Sequence, residues 1–173
     1  MADRYGSDGQ FLAKTRRNAR AGGSMTTTAE DLSQFLIALM ADRVLSRRAR
    51  EELLRPVVTI RTRTQFAPPG DSVRAEQSDS SETARVGLAY GLGWGLLTRT
   101  KFGPAFFKEG HGDGAQTYAI CFPKRRDCMV ILSNSDNGEF AFRELLEQVF
   151  GNDVTPWVWE GYTEAQLRVR GGP

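Results

Sequence analysis

The chain has 173 residues and a mass of 19.2 kDa, with 40% apolar and 25% charged residues. This is ordinary globular composition, enough for one domain or a large part of one, and it excludes full disorder. Basic and acidic side chains number 23 and 21, so the net charge of +2 is too weak to argue for a nucleic-acid partner on its own.

No apolar run approaches the roughly 18 residues of a membrane span. No secretory signal is read at Met1–Gly6, which lacks a basic start and an apolar stretch. One histidine, His111, and two cysteines, Cys121 and Cys128, nearly exclude a zinc site, and nothing calls for a cofactor. No repeat of 20 to 50 residues is present.

Residues 1–23 are polar, glycine-rich and basic, and predict an extended or loop segment. Residues 24–56 predict helices, within a helical part spanning 1–66. Thr27 and Glu30 have the spacing of a capping box. Leu32, Phe35, Leu36, Leu39 and Met40 then fall on one helical face. Ser46 can cap a second short helix through Leu54, which Pro56 stops.

Residues 67–85 are rich in Pro, Gly, Ser and Asp and predict a long loop. Residues 86–134 predict an antiparallel sheet. The run Tyr90-Gly91-Leu92-Gly93-Trp94-Gly95-Leu96 alternates glycine with large residues, as a strand does when another backbone crowds one face. Pro104–Lys108 is a second strand. Gln116–Phe122 and Cys128–Ser133 flank a Pro123–Asp127 turn as a hairpin. Cys121 and Cys128 then lie on facing strands, as a disulfide or as two buried thiols.

Residues 135–151 predict a C-terminal helix. Phe142, Leu145, Leu146, Val149 and Phe150 make its stripe, and Gly151 closes it. The tail, 152–173, carries Trp157, Trp159 and Tyr162, which should pack onto the body. The whole reads as one α+β domain or a large part of one, with an antiparallel sheet between N-terminal helices and a C-terminal helix.

The segment Glu109-Gly110-His111-Gly112-Asp113-Gly114 is the most informative for chemistry. Glycines admit a substrate close to backbone N–H groups. A histidine there can donate a hydrogen bond or a charge near neutral pH. A glycine turn that happens to hold a histidine is the plain alternative. No Ser-x-x-Lys and no Gly-x-Ser-x-Gly occurs anywhere. Ser135-Asp136-Asn137 spells a catalytic Ser-Asp-Asn tripeptide, but its simplest explanation is a turn, with Asn137 capping the next helix.

Glu30 and Asp31 suit a first helical turn, and Glu51 and Glu52 a charge-mixed helix. The basic clusters are Lys14, Arg16, Arg17 and Arg20; Arg47, Arg48 and Arg50; and Lys124, Arg125 and Arg126. They read as solvated charge, without a nucleic-acid motif.

Four ordered segments resemble one family. Ala21-Gly22-Gly23-Ser24-Met25-Thr26-Thr27-Thr28-Ala29-Glu30-Asp31-Leu32-Ser33-Gln34-Phe35-Leu36 is similar to the AAGSL-x-STAEDLARFL helix start of serine hydrolases related to class C β-lactamases and DD-peptidases. Tyr90–Trp94 resembles their YGLGW strand, and Gly110–Gly114 their GHxGG element. Met129–Gly138 resembles the strand and turn before the last helix.

The resemblance implies an incomplete β-lactamase-like fold, and an intact parent that cleaves an ester or amide through an acyl-serine. It implies that His111 binds a substrate carboxylate or stabilises charge, and that the backbone at Gly112, Asp113 and Gly114 lines the oxyanion site, with the Gly114 N–H as a donor. Asp113 stands where the family usually has glycine, which means a one-residue register shift or a modified or lost activity. The family's Ser-x-x-Lys and Tyr-x-Asn precede the matched helix and are absent here.

The expectation is therefore a chain inactive alone, which pairs with a complementary N-terminal segment or with itself. A non-catalytic binding module with the same fold is the alternative. The family is often exported to the bacterial cell envelope.

Overall fold

The computed structural model describes residues 2–13, 18–20, 22–41, 43–65, 81–151 and 154–171. Lys14, Arg16, Arg17 and residues 67–80 of the expected loop lie outside the described residues. No helix among the described residues is long and apolar enough to cross a membrane.

The start of the chain is more ordered than its composition predicts. Strands β1 (Arg4–Tyr5) and β2 (Phe11–Leu12) form a small antiparallel pair, closed by a turn in which the Gly9 N–H donates to the Gly6 carbonyl. Side-chain burial does not drive this hairpin. It is anchored by backbone contacts, because the Tyr5 N–H donates to the Asn134 carbonyl at 2.9 Å.

Helix α1 (Ala29–Met40) follows. Its cap is Thr28, one residue later than the spacing of Thr27 and Glu30 suggests. The Thr28 hydroxyl accepts from the Asp31 N–H at 3.0 Å. Three successive threonines offer the same cap chemistry, so sequence alone leaves the register open by one. Leu36 and Leu39 are buried, whereas Phe35 points outward and is 43% exposed. Ser46 caps helix α2 (Arg47–Leu53) as expected, accepting from the Ala49 N–H.

A six-stranded antiparallel sheet runs in sequence order: β3 (Val58–Thr59), β4 (Leu88–Tyr90), β5 (Gly95–Leu97), β6 (Ala105–Gly112), β7 (Ala115–Phe122) and β8 (Asp127–Ser133). The expected loop at 67–85 gives way to helix α3 (Ser81–Val86), which leads directly into β4.

The Tyr90–Leu96 run is two strands and a turn rather than one strand. Gly93 adopts φ +87° in the turn, and β4 pairs back on β5. The glycines still mark close approach. A Cβ at Gly91 would sit 2.7 Å from the Leu53 carbonyl, and one at Gly95 would strike the Phe107 ring at 2.4 Å.

The sheet is covered on both faces. Leu36 and Leu39 of α1 pack with Ala89, Leu96, Phe106, Ala119 and Cys121. The other face presents Leu97, Phe107, Tyr118, Ile120 and Phe122 to helix α4 (Phe142–Phe150) and to the tail. This strict alternation along β7 is why its eight residues are almost all buried. Cys121 and Cys128 are paired across β7 and β8 and form a disulfide.

The C-terminal helix begins with a 3-10 turn, Asp136–Ala141, capped by Ser135 and not by Asn137. The Asn137 amide instead donates to the Ser7 carbonyl at 2.9 Å. Phe142, Leu146 and Phe150 are buried, but Leu145 and Val149 lie outside. The inward stripe is thus narrower than the sequence spacing implies. Trp157 and Trp159 of helix α5 (Trp157–Glu160), and Tyr162 after it, are buried against the sheet. A last helix, α6 (Glu164–Gly171), places Leu167 in the same core.

Candidate functional site

Strand β6 carries the site. Ala105 and Phe107 face α4, so the alternation of a strand puts Glu109 and His111 on that same face. Beyond Phe107 the strand loses its β5 partner, while pairing with β7 continues to Gly112. Among the described residues, no strand covers the β5-side edge of Lys108–Gly112. His111 is therefore in a long strand and not in a glycine turn. The turn is Asp113-Gly114, two residues joining β6 to β7.

The imidazole of His111 lies between two carboxylates. Its Nδ1 meets Glu139 Oε1, and its Nε2 is 3.6 Å from Glu109 Oε2. The ring keeps 29% of its surface exposed, whereas the side chains of Glu109 and Glu139 keep 3% and 6%. Glu109 and Glu139 push the proton affinity of His111 up to about 9, against a desolvation effect of the opposite sign. At neutral pH the group is an imidazolium, a fixed cation on this strand.

A second layer lies beneath. Tyr162 donates its hydroxyl to Glu109 Oε2 at 2.9 Å, and Gln65 donates its amide to Glu109 Oε1. Tyr118 and Thr155 donate to the two oxygens of Glu160 at 2.9 and 3.0 Å. Burial, reinforced by Glu109, pushes Glu160 well above the usual carboxylate range, which favours its neutral acid.

The expected oxyanion segment is engaged by the protein itself. Gly114 donates its N–H to Asp136 Oδ1 at 2.6 Å, and Gln116 donates to the same oxygen at 3.0 Å. Gly114 has φ +63°, and a Cβ there would come within 2.8 Å of Arg4 Cβ. Turn geometry and β1 therefore account for this glycine. Gly112 differs: a Cβ there would find only the Ala115 carbonyl, at an ordinary 3.7 Å. The Asp113 carbonyl accepts from Arg4 at 2.9 Å while its side chain is exposed.

The structure thus keeps His111, Gly112, Asp113 and Gly114 together at one end of the β6–β7 hairpin. It adds Glu139, Asp136 and Tyr162, which sequence reasoning missed. Their partners are 28, 22 and 53 residues away, and nothing local signals such contacts.

The basic clusters serve other ends. Arg47 pairs with Glu51, Arg50 donates to the Met40 carbonyl, and Arg125 pairs with Asp127 over the Phe102 ring.

The relation to known proteins follows from this sheet. A beta-lactamase family model matches residues 2–151. The chain belongs to the beta-lactamase family. Its fold is similar to the crystal structure of a penicillin binding protein from Bacillus halodurans, with 18% identity and a TM-score of 0.51. That match covers 71% of this chain and 30% of the penicillin binding protein, so the chain spans under a third of that relative's length. No curated protein matches the sequence. The beta-lactamase family match ends at Gly151, before the tail that supplies Tyr162 and Glu160.

Proposed function

We propose that this beta-lactamase-family chain is the C-terminal part of a serine hydrolase acting on an ester or amide: a β-lactam, a peptide or a small ester. In the intact parent a serine oxygen adds to the carbonyl carbon and the alcohol or amine leaves with a proton. Water then releases the acid from the acyl-serine. The observation that carries this reading is the edge of β6 at Lys108–Gly112, which no strand covers among the described residues, in a chain of this family. An open strand edge suits an extended acyl chain, while the imidazolium, already paired with Glu109 and Glu139, shapes the end of that edge.

The 173 residues hold neither Ser-x-x-Lys nor Tyr-x-Asn, so the chain alone lacks a nucleophile and a base. It should turn over neither nitrocefin nor p-nitrophenyl acetate. Mixed with a complementary N-terminal segment bearing Ser-x-x-Lys, that segment should take a fluorophosphonate or penicillin label. Labelling of a serine within the 173 residues overturns the proposal.

A second reading, a binding module without catalysis, is favoured by one contact: Asp136 already occupies the Gly114 N–H. A mixture that assembles but takes no label supports it. Either reading needs a partner surface. The exposed Phe11 and Met25, and the outer edge of β8, which no strand covers among the described residues, suit the complementary segment or a second copy. A monodisperse monomer at high concentration in analytical ultracentrifugation opposes self-association.

A further inference from the structure

The family match stops at Gly151, yet the next described residues, from Val154, reach back to the strand that bears His111. We propose that the tail Val154–Leu167 is a positioning element for the His111 site: it brings the Tyr162 hydroxyl onto Glu109 and so fixes the carboxylate that faces His111 Nε2. The consequence for acyl transfer rests on the hydrolase reading above; the geometry does not.

The route can be followed atom by atom. Helix α5 ends at Gly161, whose φ of +83° turns the chain back, with the Tyr162 N–H donating to the Trp157 carbonyl at 3.0 Å. That turn aims Tyr162 inward, where it is 2% exposed. Its hydroxyl donates to Glu109 Oε2 at 2.9 Å, the same oxygen that lies 3.6 Å from His111 Nε2. The two rings are 6.3 Å apart. The far side of α5 is pinned as well, because Glu160 accepts from Tyr118 of β7 and from Thr155.

A tail serving only to fill the core needs no hydroxyl at 162. Phenylalanine supplies the same apolar surface and leaves nothing polar to satisfy. Here two buried tyrosines hold two buried carboxylates, and one of these carboxylates belongs to the strand of the sole histidine.

Two carboxylates bear on the charge of His111, Glu109 of its own strand and Glu139 of the 3-10 turn, and the Tyr162 ring of the tail lies beside them. Lys108, next to Glu109, donates to the Glu109 carbonyl at 3.0 Å. Tyr162 is the tail residue in direct contact with a carboxylate that touches the imidazole. Without its hydroxyl, Glu109 Oε2 loses the donor that fixes it toward Nε2; Gln65 still holds Oε1, so the carboxylate can turn about that bond and its contact with the ring weakens.

The test uses the whole chain, where one histidine gives one set of imidazole signals. NMR titration of His111 is compared in the wild type, Tyr162→Phe and Tyr118→Phe. Both substitutions delete one buried hydroxyl and keep the ring, but only the first touches Glu109. Tyr162→Phe should lower the proton affinity of His111 about threefold or more, roughly half a pH unit, and shift its Nε2 resonance. Tyr118→Phe should leave both where they are. Equal shifts in the two variants, or no shift in Tyr162→Phe, overturn the proposal. The readout needs no substrate, so failure of the hydrolase reading would appear separately, in the labelling of the assembled mixture.

Discussion

His111 and Glu139 are 28 residues apart in sequence, and their Nδ1 and Oε1 atoms meet at the end of β6. The contact ties the sheet to the 3-10 turn that starts the C-terminal helix. Removing the imidazole leaves two buried carboxylates facing a void. Breaking a buried pair from one side costs about 3–5 kcal/mol, reduced here because the ring is partly exposed. His111→Ala should lose about 2–3 kcal/mol in urea unfolding. Loss of under about 0.5 kcal/mol, the range of an ordinary surface substitution, would show that the carboxylates are not held by this ring.

The same cluster sets the pH dependence of stability. Folding raises the proton affinity of His111 from 6.5 to about 9. The folded state therefore binds more protons than the unfolded one between these values, and the contribution is complete below 6.5 and lost as pH rises through 9. Glu160 acts in the same direction, because burial also raises its folded-state affinity for a proton, so a pH at which the unfolded carboxyl ionises favours unfolding. Thermal melts across pH 6 to 10 should show a falling midpoint. In His111→Ala the fall through pH 9 should be shallower. A wild-type profile that rises over this interval contradicts the assignment.

The parts of this molecule that were legible in the sequence are those with a local period or a local cap. The β7–β8 hairpin announced itself through alternation about a turn, and Ser46 through its place before α2. The failures have physical causes. Thr26, Thr27 and Thr28 are chemically equivalent caps, so the helix start slipped by one. Leu145 and Val149 have helical spacing but face outward, because Phe142, Leu146 and Phe150, together with the tail's Trp157 and Tyr162, fill the space on that face of the sheet. The site was half legible. Glycines around a lone histidine marked the strand end, whereas Glu139, Asp136 and Tyr162 reach it only through tertiary packing. A glutamate at the start of a helix ordinarily signals a favourable helix dipole, and nothing in that pattern distinguishes a carboxylate bound for the core.

Gly112 and Gly114 are neighbours in the same element with different reasons to be glycine. At Gly114 the backbone is left-handed, and a Cβ would meet Arg4 Cβ at 2.8 Å and the Tyr5 nitrogen at 2.9 Å. Gly114→Ala should cost about 1–3 kcal/mol, from conformational strain and displacement of β1. At Gly112 the backbone is ordinary and the space is open. Gly112→Ala should be neutral within about 0.5 kcal/mol. If the edge of β6 receives substrate in the intact parent, Gly112→Ala should weaken acylation while leaving unfolding untouched. Urea midpoints that move together in the two variants would contradict the distinction.

The Cys121–Cys128 bridge joins directly opposed residues of β7 and β8. Cys121 is fully buried, and Cys128 Sγ is 3.7 Å from Met40 Sδ of α1. The bridge encloses a seven-residue separation, so the loop it removes from the unfolded chain is short. Loop-closure entropy for a ring of that size gives about 2–3 kcal/mol. The hairpin ladder holds the strands by itself. Reduction should therefore lower stability by about 2 kcal/mol without unfolding the sheet. Urea curves with and without dithiothreitol measure the loss, and a near-unchanged far-ultraviolet circular dichroism spectrum after reduction reports the intact sheet. In unreduced protein, Ellman titration under denaturing conditions should find no thiol. Two titratable thiols in that sample would show that the bridge does not form in solution.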